Sequence, residues 1–453
     1  MKSSDRASVR SSPGQLIDPL HVVEWANDGA GVALHDGVRW HLAGAAPGDI
    51  VAARVIAASQ HHAHGWAKIE RWHSRNERAH RSPICTNASQ GGGKCDGCAL
   101  IHLSPDAQAA AKLSAVQRAL KDLPERPAHV LSSGPDLGWR NRSFFVAGKD
   151  SGSVRLGAWS AGSHEFARVD GCVAVHPDIE RVRVRLETLL NACRLPTAAV
   201  DTLRYVQIRA GYQHSVLLEW ISTADIGSDM DALTHALVEC FPDASIWFAV
   251  NDSTGNVMRV ADARHLGGPG DIPIRLANQE WRIGPASFFQ LNLDVAATMS
   301  QRVGELAAAA GRVTWDLYAG VGILGAAAAD RGASVYGCDV VSEAVRAAAT
   351  HASHHAAWQT MDLRHFMAPS DWPAPDAVIV NPPRRGLDLA VRQWLVTSPA
   401  SRIVYMSCNP SSFQHDAAWI LQQRPDIRLS GIEAWDMLPA TTHTELIGWF
   451  DAR

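Results

Sequence analysis

From about Gln279 onward the chain alternates strand-like and helix-like text, and each apolar run stops at a short motif of turn residues. Val313-Thr314-Trp315-Asp316-Leu317-Tyr318 reads as a strand, Ala319-Gly320-Val321-Gly322 as a tight glycine turn, and Ile323 to Asp330 as the start of a helix. A second strand, Ser334 to Gly337, ends in Cys338-Asp339, and a third, Ala377 to Val380, ends in Asn381-Pro382-Pro383-Arg384-Arg385-Gly386. A further run, Ile403 to Met406, stops at Ser407-Cys408-Asn409-Pro410 before helix-like text from Ser411. Strands separated by helices predict a parallel sheet, because parallel neighbours need crossover connections. Ligands of such sheets bind at the carboxyl ends of the strands, which is where these motifs fall.

Glycines in the first turn let the backbone approach a ligand, and an acid about 20 residues on can take two ribose hydroxyls. Asp339 meets that spacing, so the turn and the acid point to a nucleotide-type cofactor. The Asp-Leu-Tyr-Ala-Gly-Val-Gly context lacks the full dinucleotide pattern and reads as adenosylmethionine rather than NAD. Successive prolines after Asn381 remove backbone donors and stiffen the loop, which can hold a side chain toward a ligand. A cysteine at a strand end is by itself most simply a small buried hydrophobe. The glycine turn upstream and Glu445 downstream turn Cys408 into a candidate nucleophile.

At 453 residues the chain has room for two to four domains, and 46% apolar with 19% charged residues is an ordinary globular balance. The polar start, Met1 to Gly14, has no apolar core, and no later run reaches the roughly 20 apolar residues of a membrane span. A cytoplasmic chain without membrane contact is expected. Net charge of −4 excludes a globally basic nucleic-acid binder, so RNA contacts must come from local patches. Lys68, Arg71, Arg75, Arg78 and Arg81, interleaved with Trp66, Trp72 and several histidines, form one such stretch; a solvated charged edge is the alternative. Arg140 and Arg142 are further candidates.

Leu16 to Trp72 consists of short β-like runs at Val22–Trp25, Gly31–Leu34, Val38–Leu42, Ile50–Val55 and Gly65–Ile69, separated by Asn-Asp-Gly, Asp-Gly and Pro-Gly-Asp turns, which predicts a small β-barrel. Its Asp28-Gly29-Ala30-Gly31-Val32-Ala33 and Ala46-Pro47-Gly48-Asp49 phrases resemble a TRAM domain, an OB-like RNA-binding barrel. Eight cysteines are too few for a disulfide framework in a chain this long, and their clustering is what informs. Cys95 and Cys98 lie in a glycine-containing turn after Gly91 to Gly93, with Cys85 ten residues before and Cys172 the nearest following cysteine. A four-thiolate set suits structural zinc or an iron–sulfur cluster, and spacing does not choose between them. Ser104-Pro105 caps a helix to about Leu123 with Leu113, Val116 and Leu120 on one face. Beyond it, Trp139–Val146 and Val154–Trp159 read as paired strands around Lys149-Asp150-Ser151-Gly152. Tyr205–Arg209, Val216–Trp220 and Ile246–Val250 read as strands around a helix at Met230–Cys240, and Gly267 to Gly270 as a turn near the last boundary.

Taken in order, Phe288-Phe289-Gln290-Leu291-Asn292, the glycine turn, Asn-Pro-Pro-Arg-Arg-Gly, Ser-Cys-Asn-Pro and the terminal His443-Thr444-Glu445 resemble the RNA 5-methyluridine methyltransferases. With the barrel and the cysteine cluster, the likeness is greatest to the bacterial 23S rRNA (uracil-5-)-methyltransferases. It implies a multidomain chain: an N-terminal OB-like TRAM β-barrel at 10–75, a central α+β iron–sulfur domain at 76–275, and a C-terminal α/β class I, Rossmann-like domain for S-adenosyl-L-methionine (SAM) at 276–453. It implies Cys408 as nucleophile and Glu445 as base, cofactor contacts at Gln290, Tyr318, Gly320, Asp339, Asp362 and Asn381, and a [4Fe–4S] cluster on Cys85, Cys95, Cys98 and Cys172. The implied partner is RNA, ribosomal RNA first and transfer RNA as the alternative, for an enzyme acting as a monomer. The chain departs from the family at Asn381, where Asp is usual, at the long Cys85–Cys95 gap, at Ile101 in place of Gln, and at Ile323 in the glycine turn. Two rival readings are an amino-group methyltransferase, which would use the Asn-Pro-Pro loop and need no cysteine, and a non-catalytic iron–sulfur RNA-binding protein.

Overall fold

In the computed structural model the first five strands, β1 (Leu16–Trp25), β2 (Gly31–His35), β3 (Val38–Leu42), β4 (Ile50–Ala58) and β5 (His64–Ser74), close into a barrel in the order β1-β2-β3-β5-β4. Closure leaves no strand edge unpaired. Residues 12–453 are described, apart from 60, 90–91, 151, 161–162, 164, 256–257, 259–261, 278 and 352–355. The first eleven residues of the polar start, Gly91 and Ser151 thus lie outside the described residues. Val38, Trp40 and Leu42 alternate inward and fill the barrel. Asp49, buried in the Pro-Gly-Asp turn, accepts from the Ala46 N–H at 2.6 Å and the Asn76 N–H at 2.7 Å, tying the barrel to the segment that leads to the cysteines.

Helix α1 (Pro105–Ala119) starts with the Ser104 side chain accepting from the Ala107 N–H and Pro105 in its first turn. Its buried face differs from the expected Leu113–Val116–Leu120 stripe. Gln108, Ala111, Lys112 and Val116 are buried, and Leu113 is only half-buried. The reason is position: Val116 and Leu120 join the core of the last sheet, and the first half of the helix covers a loop that needs polar partners. After α1, β6 (Val130–Leu131) pairs into that same sheet.

Strands β7 (Arg142–Asp150), β8 (Ser153–Trp159), β9 (Phe166–Ala167), β10 (Leu203–Ala210), β11 (Val216–Ser222), β12 (Ser245–Val250) and β13 (Ala263–Gly267) build a central sheet in the order β13-β12-β11-β10-β7-β8-β9. Helices α2 (Pro177–Asn191), α3 (Thr197–Thr202) and α4 (Met230–Cys240) supply its core through Ile179, Leu186, Ala199, Leu233 and Leu237. A hairpin of β14 (Ile272–Leu276) and β15 (Gln279–Ile283) follows.

The last sheet is built from β16 (Val313–Leu317), β17 (Ser334–Asp339), β18 (Ala356–Thr360), β19 (Ala377–Val380), β20 (Arg402–Ser407), β21 (Ile427–Trp435) and β22 (Glu445–Ala452), with helices α5 (Leu293–Ala308), α6 (Ile323–Ala329), α7 (Ser342–His351), α8 (Leu389–Thr397) and α9 (Pro410–Gln423). Its order is β18-β17-β16-β19-β20-β22-β21-β6. The five strands from β18 to β20 run parallel, and β22 is antiparallel to both β20 and β21. The chain builds outward from β16 to β18 and then returns to β19 on the other side, so a crevice opens at the carboxyl ends of β16 and β19. Among the described residues no helix is long and apolar enough to cross a membrane.

Trp358 of β18 explains three glycines near that crevice. A Cβ on Gly337 would lie 2.1 Å from its ring, one on Gly322 2.7 Å and one on Gly325 2.9 Å. Gly322 also carries φ +82°, the left-handed backbone that opens α6. Gly337→Ala is therefore expected to destabilise the protein by about 1–3 kcal/mol through overpacking. Thermal unfolding measures this, and Trp358→Phe in the same background should recover part of the loss.

Candidate functional site

β20 and β22 decide what faces what. Their antiparallel register runs from Arg402 opposite Asp451 to Ser407 opposite Leu446. One rung further, Cys408 stands opposite Glu445, and opposite residues of an antiparallel pair share a face. The loop after β19 brings Arg384 to the same place, within hydrogen-bonding reach of the Cys408 sulfur. Its guanidinium lies 3.5 Å from His443 Nδ1, and its backbone carbonyl accepts from Asn409 Nδ2 at 2.9 Å. Asn409 also caps α9, its side chain accepting from the Ser411 N–H at 3.1 Å.

The loop from Asn381 to Asp388 is fixed from below by Asp416 of α9, which is 1% exposed. Its carboxylate accepts from Tyr405 Oη at 2.6 Å, the Leu387 N–H at 2.8 Å and Arg392 Nη2 at 2.5 Å. A Cβ on Gly386 would meet the same carboxylate at 2.6 Å, and its φ of +89° independently requires glycine.

Electrostatics divide the labour. Glu445 is half-exposed by surface yet enclosed by protein around its carboxyl, and burial pushes it up to about 7, with Arg384 opposing. A carboxylate at that value takes a proton readily near neutrality. Burial first, and then the Glu445 charge, push the Cys408 thiol up, while Arg384 draws it down by charge and by hydrogen bond. Under the glycine turn, Asp316 is fully buried, is pushed up to about 7 by burial, and accepts from the Gly325 N–H at 2.8 Å.

Of the residues expected to contact a cofactor, Tyr318, Gly320, Asp339 and Asn381 lie at the carboxyl ends of β16, β17 and β19. Asp339 ends β17 and accepts from the Gly320 N–H and the Val341 N–H, each at 2.9 Å. Gly320 has φ +57°, and nothing lies within 4 Å of where a Cβ would stand, so its face is open to a ligand. Tyr318, at φ +60°, is a strained non-glycine position. Its hydroxyl donates to the Asp388 carboxylate at 3.2 Å and accepts from the Asp388 N–H at 2.9 Å. Asn381 ends β19 beside it, its N–H toward the Leu317 carbonyl at 3.4 Å. Asp362 follows β18, where Arg364 holds its carboxyl down at about 2, and the Met361 N–H donates to the Asp339 carbonyl at 2.9 Å. Gln290 lies on the loop before α5, where the Asn141 side chain donates to its carbonyl at 2.8 Å. A recess lined by Ala308, Arg312, Arg331 and Ser334 opens at the opposite, amino ends of β16 and β17 and belongs to no part of this site.

Cys85, Cys95, Cys98 and Cys172 come within electrostatic reach of one another. Burial and the neighbouring thiols raise Cys95 and push Cys98 up to about 12, with Arg140 opposing at Cys98. Among the described residues no group of three or more His, Cys, Asp or Glu side chains is arranged to hold a metal ion. In the basic stretch, Arg71 pairs with Asp18, and Arg81 pairs with Asp136 and donates to the Ile101 carbonyl, while Lys68, Arg75 and Arg78 are exposed. Sequence reading missed the roles of Arg384, Asp416 and Lys112. Arg384 stood inside a quoted motif, and only the folded loop after β19 brings its charge to bear on Cys408.

No protein-family model matches the chain. It is 30% identical over 447 residues to the 23S rRNA (uracil(1939)-C(5))-methyltransferase RlmD of Pseudomonas aeruginosa (strain UCBPP-PA14), covering 96% of this chain and 94% of that one. An RNA methyltransferase of Staphylococcus aureus (strain MSSA476) is 28% identical over 382 residues, 80% of this chain and 83% of that one. The solved structure of the Pyrococcus abyssi tRNA (uracil-54, C5)-methyltransferase in complex with S-adenosyl-L-homocysteine superposes with a TM-score of 0.73 at 25% identity, over 95% of this chain and 100% of that one.

The raised carboxyl gives a stability test. Glu445 binds its proton more tightly folded than unfolded, so its contribution falls as pH rises from 4.5 to about 7 and stays low above. Glu445→Gln should therefore gain stability over the parent across that window, by about 1–3 kcal/mol at pH 8. Urea unfolding at pH 4.5 and pH 8 measures it, with the two proteins converging at the lower value.

Proposed function

From the premise that the chain belongs to the RNA (uracil-C5)-methyltransferases, SAM-dependent enzymes, we propose that it forms 5-methyluridine in 23S ribosomal RNA with Cys408 as nucleophile and Glu445 as base. The observation that carries this is the β20–β22 register, which, continued one position past Ser407–Leu446, sets Cys408 against Glu445, with the Arg384 charge acting on both.

Carbon 5 of uracil is a poor nucleophile. The Cys408 thiolate adds to carbon 6, the electron pair moves to the carbon 4 oxygen as an enolate, and carbon 5 then attacks the methyl group of SAM, releasing S-adenosylhomocysteine. Glu445 takes the carbon 5 proton, the carbon 5–carbon 6 double bond reforms, and the thiolate leaves. Arg384 favours the thiolate at both ends of this cycle. The uracil must be unstacked to reach the two side chains, which suits a loop or a flipped base. Asp339, Tyr318, Gly320, Asp362, Asn381 and Gln290 are the cofactor contacts in this reading. Asn381, where the family usually has Asp, retains an oxygen acceptor without the charge.

By family likeness Cys85, Cys95, Cys98 and Cys172 are the donors of a [4Fe–4S] cluster; four thiols acting on one another suit that group by donor chemistry, and binding it would draw the sulfurs together and cross-link their segments without donating electrons to the reaction. The division at 10–75, 76–275 and 276–453, the TRAM assignment, a monomer and a cytoplasmic location belong to the same reading. Transfer RNA is the second substrate class, favoured by the likeness to the Pyrococcus enzyme. Mapping 5-methyluridine in ribosomal and transfer RNA from cells lacking the protein decides between them.

Two outcomes test the chemistry and the cluster. Glu445→Gln should accumulate a methylated covalent protein–RNA species on a denaturing gel, and Cys408→Ala should form none, even on 5-fluorouridine RNA that traps the intact protein. Normal turnover by Glu445→Gln would remove it from the base role. Protein purified without oxygen should carry about four irons per chain, and stoichiometric zinc without iron by metal analysis would overturn the cluster assignment.

A further inference from the structure

Residues 436–444 carry the chain from β21 to Glu445; the Asp436 N–H donates to the Leu131 carbonyl of β6 at 2.7 Å, and α1 with the loop before it supplies further hydrogen bonds. Asp436, Met437, Ala440 and Thr441 are buried in this connection. Lys112 of α1, 1% exposed, sends its ammonium to the Asp436 carboxylate and donates to the Leu438 carbonyl at 3.0 Å. Gln108, one turn earlier on the same face, accepts from the Ala440 N–H at 2.8 Å and donates to the Leu103 carbonyl at 3.0 Å. The Ala440 carbonyl is taken by the Leu100 N–H at 2.9 Å, so a non-glycine residue at φ +61° is held by both of its backbone groups. The Leu438 carbonyl also accepts from Thr441 Oγ1 at 2.7 Å, and Thr441 Oγ1 accepts from the His443 N–H at 3.2 Å, two residues before Glu445.

A buried lysine–carboxylate pair is a weak source of stability, because desolvation opposes both charges; burial here lowers Lys112 and raises Asp436. Apolar side chains would hold α1 on the sheet as well. What the ammonium adds is direction: two donors fixed on a segment whose end carries the base.

We propose that Lys112 and Gln108 are positioning residues for Glu445, holding the 436–444 segment so that the carboxylate meets the carbon 5 proton of the RNA-bound intermediate. The inference rests on Glu445 acting as the base. It separates the two halves of the reaction, since Cys408 follows directly on β20, which β19 also holds in the sheet, whereas Glu445 follows directly on this segment. Loosening the segment should leave addition and methyl transfer near the parent rate and slow release of the product.

The test is a single turnover with methyl-labelled SAM and an unmodified 23S ribosomal RNA transcript, quenched in denaturant, with label counted in protein–RNA adduct and in free RNA. Lys112→Met leaves Asp436 unpaired and risks misfolding, so Gln108→Leu and the double variant Lys112→Met/Asp436→Leu carry the measurement. Both should form labelled adduct within about twofold of the parent rate and release it at least tenfold more slowly. Equal slowing of both steps, unchanged release, or loss of folding in both variants would reduce these residues to structural ones and overturn the inference. A parent protein that traps no adduct on 5-fluorouridine RNA would overturn the catalytic reading and this one together, whereas trapping by the parent without accumulation in the variants overturns this one alone.

Discussion

A single antiparallel strand inserted beside a parallel one is what the site depends on. Parallel neighbours deliver their carboxyl ends to the same rim, so a sheet of them presents only strand-ending loops to a ligand. β22 runs the other way and presents its first residue there instead. A side chain at the start of a strand is held by the ladder behind it and by the connection before it, so Glu445 is placed from both sides. Cys408, one residue past the end of β20, meets it on a shared rung. Had β22 been parallel, the rim would have received residues near Ala452, and no carboxylate at 445.

The same rim has to be dry enough to shift two acids and firm enough to keep them apart from solvent. Asp416 accomplishes much of the second task. It gathers a tyrosine from β20, an arginine from α8 and a backbone N–H from the loop after β19, so three elements share one buried carboxylate. Fully satisfied, such a network specifies one arrangement; with one donor missing it would leave charge buried and unpaired. Arg384 is a formal cation that this arrangement brings near the sulfur, and its draw on both Cys408 and Glu445 links the protonation of each to the other.

Much of this was legible in the sequence. Barrel strands were readable because turn residues punctuate them, and the strands from Val313 to Met406 because apolar runs stop at glycine, proline or asparagine. Ala377–Val380 was placed to the residue. What was not legible is partnership. Lys112 sits among alanines in a helix whose pattern marks Leu113 as the inner face, since periodicity records hydrophobicity and cannot say that the surface opposite is a polar loop. The meeting of Cys408 with Glu445 needs a register between strands separated by α9 and β21, and register is set by pairing that local text does not encode. The cysteines were picked out by spacing, which does not give the distances between their sulfurs.

β6 lends the last sheet its outermost strand from a point roughly 300 residues earlier in the chain than the strand it pairs with. During synthesis at about 5–20 residues per second, Val116, Leu120 and Val130 emerge some 15–60 seconds before Ile427 to Trp435 exist to cover them. Until then this stretch has an apolar face and an open hydrogen-bonding edge on a chain still attached to the ribosome. This sheet is therefore completed only once β21 and β22 have emerged, and from both directions, and a nascent chain stalled before residue 427 would present the kind of surface that chaperones bind.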